Sequence, residues 1–223
     1  MDYVCEHRVI PSLYLSGDCI DYAFIKQRYY AFYLADVSGH GSAPAFVTIW
    51  LKNLVAQLVK LKQILVQFDS ESDALVELLE EINNQLIEMG INNHLTLVLG
   101  ILDTTTHQLY YIVAGHLPVP VLLENGKASF LQGSGKPIGL FQQAQWQVNH
   151  MQLSQQPLLL FSDGILELIE QNDLIEKERG LLSLVEKTEG NLDAMVEGLN
   201  INTIQELPDD VAMLSIKKVV ELC

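Results

Sequence analysis

The stretch Tyr29-Tyr30-Ala31-Phe32-Tyr33-Leu34-Ala35-Asp36-Val37-Ser38-Gly39-His40-Gly41 passes from an aromatic, apolar run through a glycine turn into a helical pattern. Aromatic residues favour a half-buried pleated strand, so Asp36 falls where the strand stops. Gly39 and Gly41 let the backbone turn tightly, so that carbonyl oxygens as well as a carboxylate can approach an ion. Leu158-Leu159-Leu160-Phe161-Ser162-Asp163-Gly164 repeats this plan far along the chain. Two more acidic clusters, Ser16-Gly17-Asp18-Cys19-Ile20-Asp21 and Pro208-Asp209-Asp210, also lie against apolar segments. These four sites can converge only if a sheet joins distant parts of the chain. Such a convergence calls for metal, because hard cations such as Mg²⁺ prefer oxygen ligands and relieve repulsion among carboxylates.

Outward from Asp36 the elements follow. Tyr22-Ala23-Phe24-Ile25 and Tyr29 to Leu34, separated by Lys26-Gln27-Arg28, read as an antiparallel hairpin. From Gly41 to about Phe68, the spacing of Phe46, Trp50, Leu54, Leu58, Leu61, Leu65 and Phe68 predicts one face of a long helix. A second helix starts at the capping sequence Ser70-Glu71-Ser72-Asp73, shows Leu75, Leu78, Leu79, Ile82, Leu86 and Met89 on one face, and stops at Gly90. Apolar runs at 95–102, 109–114, 119–123, 146–153 and 157–161 read as strands, with a glycine-rich loop at 133–139. Helical patterns at 164–171, 181–187 and 192–204 precede a last strand at 211–216. There is no internal repeat, low-complexity tract or linker.

Composition narrows the partners. With 223 residues, 49% hydrophobic and 18% charged, the chain can bury the core of one sizeable domain. A net charge of −15 argues against nucleic acid and against an anionic membrane, where a basic face supplies the attraction. No run reaches the roughly 20 apolar residues of a membrane span, and Met1 is followed by acidic and polar residues. Cys5, Cys19 and Cys223 show no CxxC spacing, and their odd number is awkward for a disulfide framework. A reducing, cytoplasmic setting is the expectation.

Taken alone, each acidic turn reads equally well as a capped strand-to-helix connection. Their order makes the sequence recognisable. SGDCID at 16–21, ADVSGHG at 35–41, TLVLGILD at 96–103, AGHLPVPVLL at 114–123, GKPIGLF at 135–141, LLLFSDGILEL at 158–168 and DDVAML at 209–214 resemble, in the family's order, the protein phosphatase 2C family of metal-dependent serine/threonine phosphatases, in its bacterial sporulation and sigma-factor-regulating branch. The resemblance implies an α+β fold, a mainly antiparallel β-sandwich flanked by helices on both sides, over residues 1–223 as a single catalytic domain. It also implies two ions, Mn²⁺ or Mg²⁺. Asp36 would bridge both and the Val37 carbonyl would complete one site. Asp163 and Asp209 would hold the second ion, and Asp18 a metal or its water. Asp36, Asp163 and Asp209 would thus be catalytic, with Asp21, Gly39, His40 and Asp210 in support. Ser162 and Ala212 stand where the family often has Thr, which spares the carboxylates.

Other conspicuous residues read more plainly. His40 and His116 read as hydrogen-bonding groups of tight loops, and His94 as a loop residue. Cys19 reads as a small buried hydrophobe, Ser38 and Ser162 as turn hydroxyls, and Lys136 and Arg28 as solvated side chains that the substrate phosphate does not specify. The expected activity is hydrolysis of phosphoserine or phosphothreonine on a regulatory protein, an anti-sigma-factor antagonist being the substrate that the resemblance implies. A catalytically silent binding module and a hydrolase of small phosphate esters are the alternatives. The helices at 41–90 would suit a regulatory domain or a homodimer contact, or would simply cover the sheet. The missing segment ahead of the first strand suggests a catalytic domain cut from a larger signalling protein.

Overall fold

The computed structural model describes residues 3–39, 41–60, 70–153 and 155–219. Strands β1 (Tyr3–Ile10), β2 (Asp18–Ile25), β3 (Tyr29–Val37), β4 (Leu95–Asp103), β5 (Gln108–Ala114), β6 (Val121–Glu124), β7 (Lys127–Phe130), β8 (Asn149–Gln152), β9 (Leu158–Phe161) and β10 (Val211–Lys218) form two sheets. One has the order β1-β10-β9-β6-β7 and the other β2-β3-β4-β5-β8, with every pair antiparallel. Helices α1 (Ser42–Lys60) and α2 (Glu71–Glu88) join β3 to β4. Helices α3 (Gly164–Glu167), α4 (Leu174–Lys187) and α5 (Leu192–Gly198) and a 3₁₀ turn at Ile201–Thr203 lie between β9 and β10.

The period of two in the strands produces the layers. Tyr30, Phe32 and Leu34 of β3 pack between the sheets with Val98, Leu160 and Leu214, whereas Tyr33 and Ala35 face the other way with Leu51, Leu75 and Leu79. A third cluster sets Leu159, Phe161 and Met213 under Leu181, Val185 and Met195. Three apolar interfaces therefore separate four layers, helix, sheet, sheet and helix, as the resemblance implies.

The hairpin, the Ser70 cap and the α2 face agree with the sequence: the Ser70 hydroxyl accepts from the Asp73 N–H at 3.1 Å. The α1 face does not. Its buried residues are Val47, Leu51, Leu54 and Leu58, while Phe46 is exposed and Trp50 only half-buried. This helix is apolar around most of its early circumference, so periodicity does not fix which stripe meets the sheet. The positions read at 61–68 lie outside the described residues. Ser42–Val59, with mean hydropathy 1.2, is long and apolar enough by composition to cross a membrane, a length the sequence reading did not credit. Four of its large apolar side chains are taken up by the core.

Downstream, boundaries move. The helix read at 164–171 is only Gly164–Glu167, and that read at 192–204 breaks at Asn200, whose φ is 54°. Asp173 caps α4 through the Glu176 N–H at 2.9 Å, an earlier start than Leu181. The strand read at 146–153 narrows to Asn149–Gln152.

Gly100 shows how tightly neighbouring strands of one sheet pack. It pairs with Phe32 across the β3–β4 ladder, and a Cβ there would run into the Phe32 ring. Gly100→Ala should therefore lower stability by about 2 kcal/mol through overpacking, read as a shift in the urea midpoint at unchanged slope.

Candidate active site

The antiparallel register of β2 and β3 sets Asp18 directly opposite Asp36, and Asp36 opposite Thr96 of β4. Opposed residues in such a ladder have Cβ atoms roughly 5 Å apart. From the other sheet, β9 delivers Asp163 just beyond its last residue, and Asp209 and Asp210 precede β10. Ser162 ties those two ends: its N–H donates to the Ala212 carbonyl at 2.9 Å, and its hydroxyl accepts from the Ala212 N–H at 2.8 Å. Gly164 lets the turn pass the Asp210 backbone, since a Cβ there would collide with the Asp210 carbonyl. Asp163 precedes a four-residue helix without a side-chain cap bond; its carboxylate faces the N–H groups of its own residue and of Gly164 instead.

The gathering shapes the electrostatics. Asp18 is 5% exposed and its Oδ2 has no hydrogen-bond partner. Burial pushes its carboxyl up to about 9, aided by the charges of Asp36, Asp210 and Asp163 and opposed by the Ser162 hydroxyl. Asp36 is pushed up to about 7, first by burial and then by Asp163, Asp209 and Asp210. Asp163 is exposed as a residue, yet partial burial of its carboxyl and the charge of Asp209 raise it too. Asp209 is exposed and accepts from the Asp210 N–H at 2.8 Å. The carboxylates are gathered but not closed: among the described residues, no three His, Cys, Asp or Glu side chains form a ready ion cage, as expected of like charges facing one another. An all-oxygen donor set with one buried, unpartnered carboxylate oxygen fits hard divalent cations.

Residues named from the sequence part company here. Asp18, Asp36, Asp163 and Asp209 come together. Asp21 does not: it lies an odd number of residues from Asp18, on the opposite strand face, exposed and accepting from the Tyr22 N–H at 2.9 Å. Proximity in sequence misleads because a strand alternates its faces. The Val37 carbonyl lies against Gly17, 3.0 Å from where a Cβ would stand. Gly39 has φ 94°, and its turn is held by Asn93, whose Nδ2 donates to the Ser38 carbonyl at 2.8 Å, and by the Ser38 hydroxyl, which accepts from the His94 N–H at 3.0 Å. His40 lies outside the described residues.

Asp210 holds a loop. Its Oδ1 accepts from the Ser12 N–H at 2.7 Å and the Ser12 hydroxyl at 2.8 Å, and its Oδ2 from the Gly17 N–H at 2.8 Å and the Ser16 hydroxyl at 3.0 Å. Arg28 binds Asp103 through Nε at 3.1 Å and Nη2 at 2.5 Å, at the hairpin end remote from Asp18 and Asp36. Lys136 sits 4.8 Å from the Phe141 ring centre. Burial pushes the Cys19 thiol up to about 12, so it is no nucleophile.

His116 joins the sheets beneath the cluster. The Phe161 carbonyl can only accept, so Nε2–H donates to it at 2.8 Å and Nδ1 accepts from the Thr96 hydroxyl at 2.8 Å. Burial holds the ring neutral, with its pKa pulled down to about 4. The Ala-Gly-His string marks this residue in the sequence, but nothing local specifies a partner 45 residues away.

A Stage II sporulation protein E (SpoIIE) family model matches residues 26–219. Phosphoserine phosphatase RsbP of Bacillus subtilis is 25% identical over 159 residues, which are 69% of this chain and 37% of that protein. The chain therefore spans little more than a third of that relative. A crystal structure of RsbU and RsbW domains from Mycobacterium tuberculosis superposes with a TM-score of 0.75 at 20% identity, over 97% of this chain and 60% of that one. The PP2C phosphatase domain of SpoIIE from Bacillus subtilis, with a fragment of its regulatory domain, gives 0.74 at 19% identity, over 97% and 63%. At these identities the structural likenesses speak to the fold.

Two outcomes follow from this geometry. A carboxyl whose folded-state pKa lies above its unfolded value favours folding below the unfolded pKa, a contribution lost as pH rises through the folded pKa. Without divalent cations, the melting temperature should fall as pH rises from about 6 to 9, through the raised values of Asp36 and Asp18; millimolar Mn²⁺ should flatten that slope in thermal scans. His116→Leu should cost about 1–3 kcal/mol in urea unfolding, because it strands the Thr96 hydroxyl and the Phe161 carbonyl, and should weaken Mn²⁺ binding in calorimetry.

Proposed function

The chain belongs to the Stage II sporulation protein E family, and from that premise we propose that it is a metal-dependent phosphatase acting on phosphoserine or phosphothreonine of a regulatory protein. The observation that carries this reading is the convergence, from both sheets, of four acidic segments around the buried carboxyl of Asp18, one oxygen of which has no partner. Asp18, Asp36, Asp163 and Asp209 would hold the Mn²⁺ or Mg²⁺ ions. When bound, such ions neutralise phosphoryl charge and lower the pKa of water.

The chain's own residues do the rest. Hydrolysis adds a water oxygen to phosphorus, breaks the bond to the seryl oxygen and returns a proton to that oxygen, leaving serine and inorganic phosphate. Four carboxylates repel an incoming phosphate dianion, so catalysis requires their charge to be compensated first. Asp18 and Asp36 are fixed by ladder register, and Asp163 and Asp209 by the Ser162 and Gly164 contacts, which limits the reorganisation needed on binding. His116, neutral and buried, keeps both halves aligned.

A small phosphorylated regulator, an anti-sigma-factor antagonist, is the substrate this reading names. RsbP, a phosphoserine phosphatase by name, and the RsbU–RsbW neighbour support a place in such signalling. A silent binding module is disfavoured because mutually repelling acids, one with a buried oxygen left unpartnered, are expensive to keep. Phosphate release from a phosphoserine protein should require Mn²⁺ or Mg²⁺ and drop on the order of 100-fold or more in Asp36→Asn. Metal-independent release, or equal release by both proteins, would refute the assignment.

A further inference from the structure

Between β1 and β2 the chain holds three consecutive apolar side chains in water: Leu13 is 54% exposed, Tyr14 102% and Leu15 50%. Exposed apolar runs of this kind mark contact surfaces when they are contiguous and rigid. This one is tied down at both feet. Asp210 binds Ser12 on one side and Ser16 and Gly17 on the other, through four hydrogen bonds. The ordering entropy of the loop base is therefore met within the fold, and little remains to be lost when a partner docks.

The loop also borders the carboxylate cluster. Leu13 and Tyr14 line one open cavity of about 750 Å³ together with Leu207, Pro208, Gly39 and Asp209. Apolar surface and a cluster carboxylate thus share a single recess, large enough for several side chains of a polypeptide. Glu206 also lines it, and the chain carries a net charge of −15, so acidic flanks on an incoming segment would be repelled.

We infer that the Leu13–Leu15 loop is the specificity element of this site: it seats an apolar side chain next to the phosphoserine, within a substrate segment that is apolar and basic rather than acidic. This rests on the phosphatase reading above. Tyr14 is the anchor, since an exposed aromatic side chain with two rotatable bonds contributes large contact area at small entropic cost. Leu13 and Leu15 flank it.

The test uses three substrates: a phosphoserine peptide with Leu beside the phosphoserine and Lys flanks, the same peptide with Glu flanks, and p-nitrophenyl phosphate. Wild type should favour the first peptide over the second by about 10-fold in kcat/KM. In Tyr14→Ser, and separately in the double variant Leu13→Ser with Leu15→Ser, the ratio of Leu-peptide to aryl-ester turnover should fall about 10-fold, chiefly through KM. An unchanged ratio overturns the inference, as does a wild type that hydrolyses the ester but neither peptide. So does a parallel loss on all substrates, which would make the loop merely structural. A wild-type dimer that Tyr14→Ser converts to a monomer in light scattering would assign the surface to a second copy instead. A wild type inactive on all three substrates with Mn²⁺ would sink the phosphatase reading itself, an outcome distinct from the others.

Discussion

Like charges do not assemble unaided, and the organisation of this protein turns on the backbone pairing that forces them together. The β2–β3 ladder places Asp18 opposite Asp36 regardless of what their side chains prefer, because the hydrophobic alternation of Tyr30, Phe32 and Leu34 fixes the register. A slip of one residue would turn those side chains from the space between the sheets to the helix-facing side, where Tyr33 and Ala35 pack against Leu51 and Leu75. The apolar interior thus pays for the acidic end: burial of the sandwich supplies the free energy that holds mutually repelling groups at its rim.

The two sheets must also stay aligned, since each contributes half of the acids. A polar bridge between the sheets and a polar stitch within the sheet of β9 and β10 serve this at the same end of the sandwich. His116 spans from Thr96 to the Phe161 carbonyl, and Ser162 stitches the end of β9 to the start of β10. Both lie in interior positions where an unmade hydrogen bond would be costly, so they constrain alignment more sharply than non-directional packing could. Asp210 extends the same logic outward, spending its charge on four donors of the β1–β2 loop. Adjacent carboxylates, Asp209 and Asp210, therefore have different work: one faces the recess, and its neighbour anchors the loop that borders it.

Much of this was legible in the chain. The strand, turn and helix around Asp36 follow from aromatic strand residues and paired glycines, and the Ser70 cap from a hydroxyl three residues before Asp73. Where the reading slipped, the cause is physical. The phase of α1 was ambiguous because apolar residues surround its first turns, and only contact with the sheet selects Val47 and Leu51 over Phe46 and Trp50. Asp21 was drawn into the site by adjacency, although a strand sends odd and even positions to opposite faces. Asn93, Thr96 and the loop-holding role of Asp210 carry no local signal, since each is defined by a partner distant in sequence.

The sequence by itself determined the ends of the acid-bearing strands and the oxygen-rich chemistry of the donors, because period, turn residues and ligand type are local properties; the layer architecture came from the family resemblance of its ordered motifs. Tertiary structure alone decided which carboxylates meet, which are committed to hydrogen bonds, and that one buried oxygen of Asp18 is left without a partner. Those outcomes depend on register and on contacts between sheets, where segments more than a hundred residues apart are made neighbours by the burial of apolar surface.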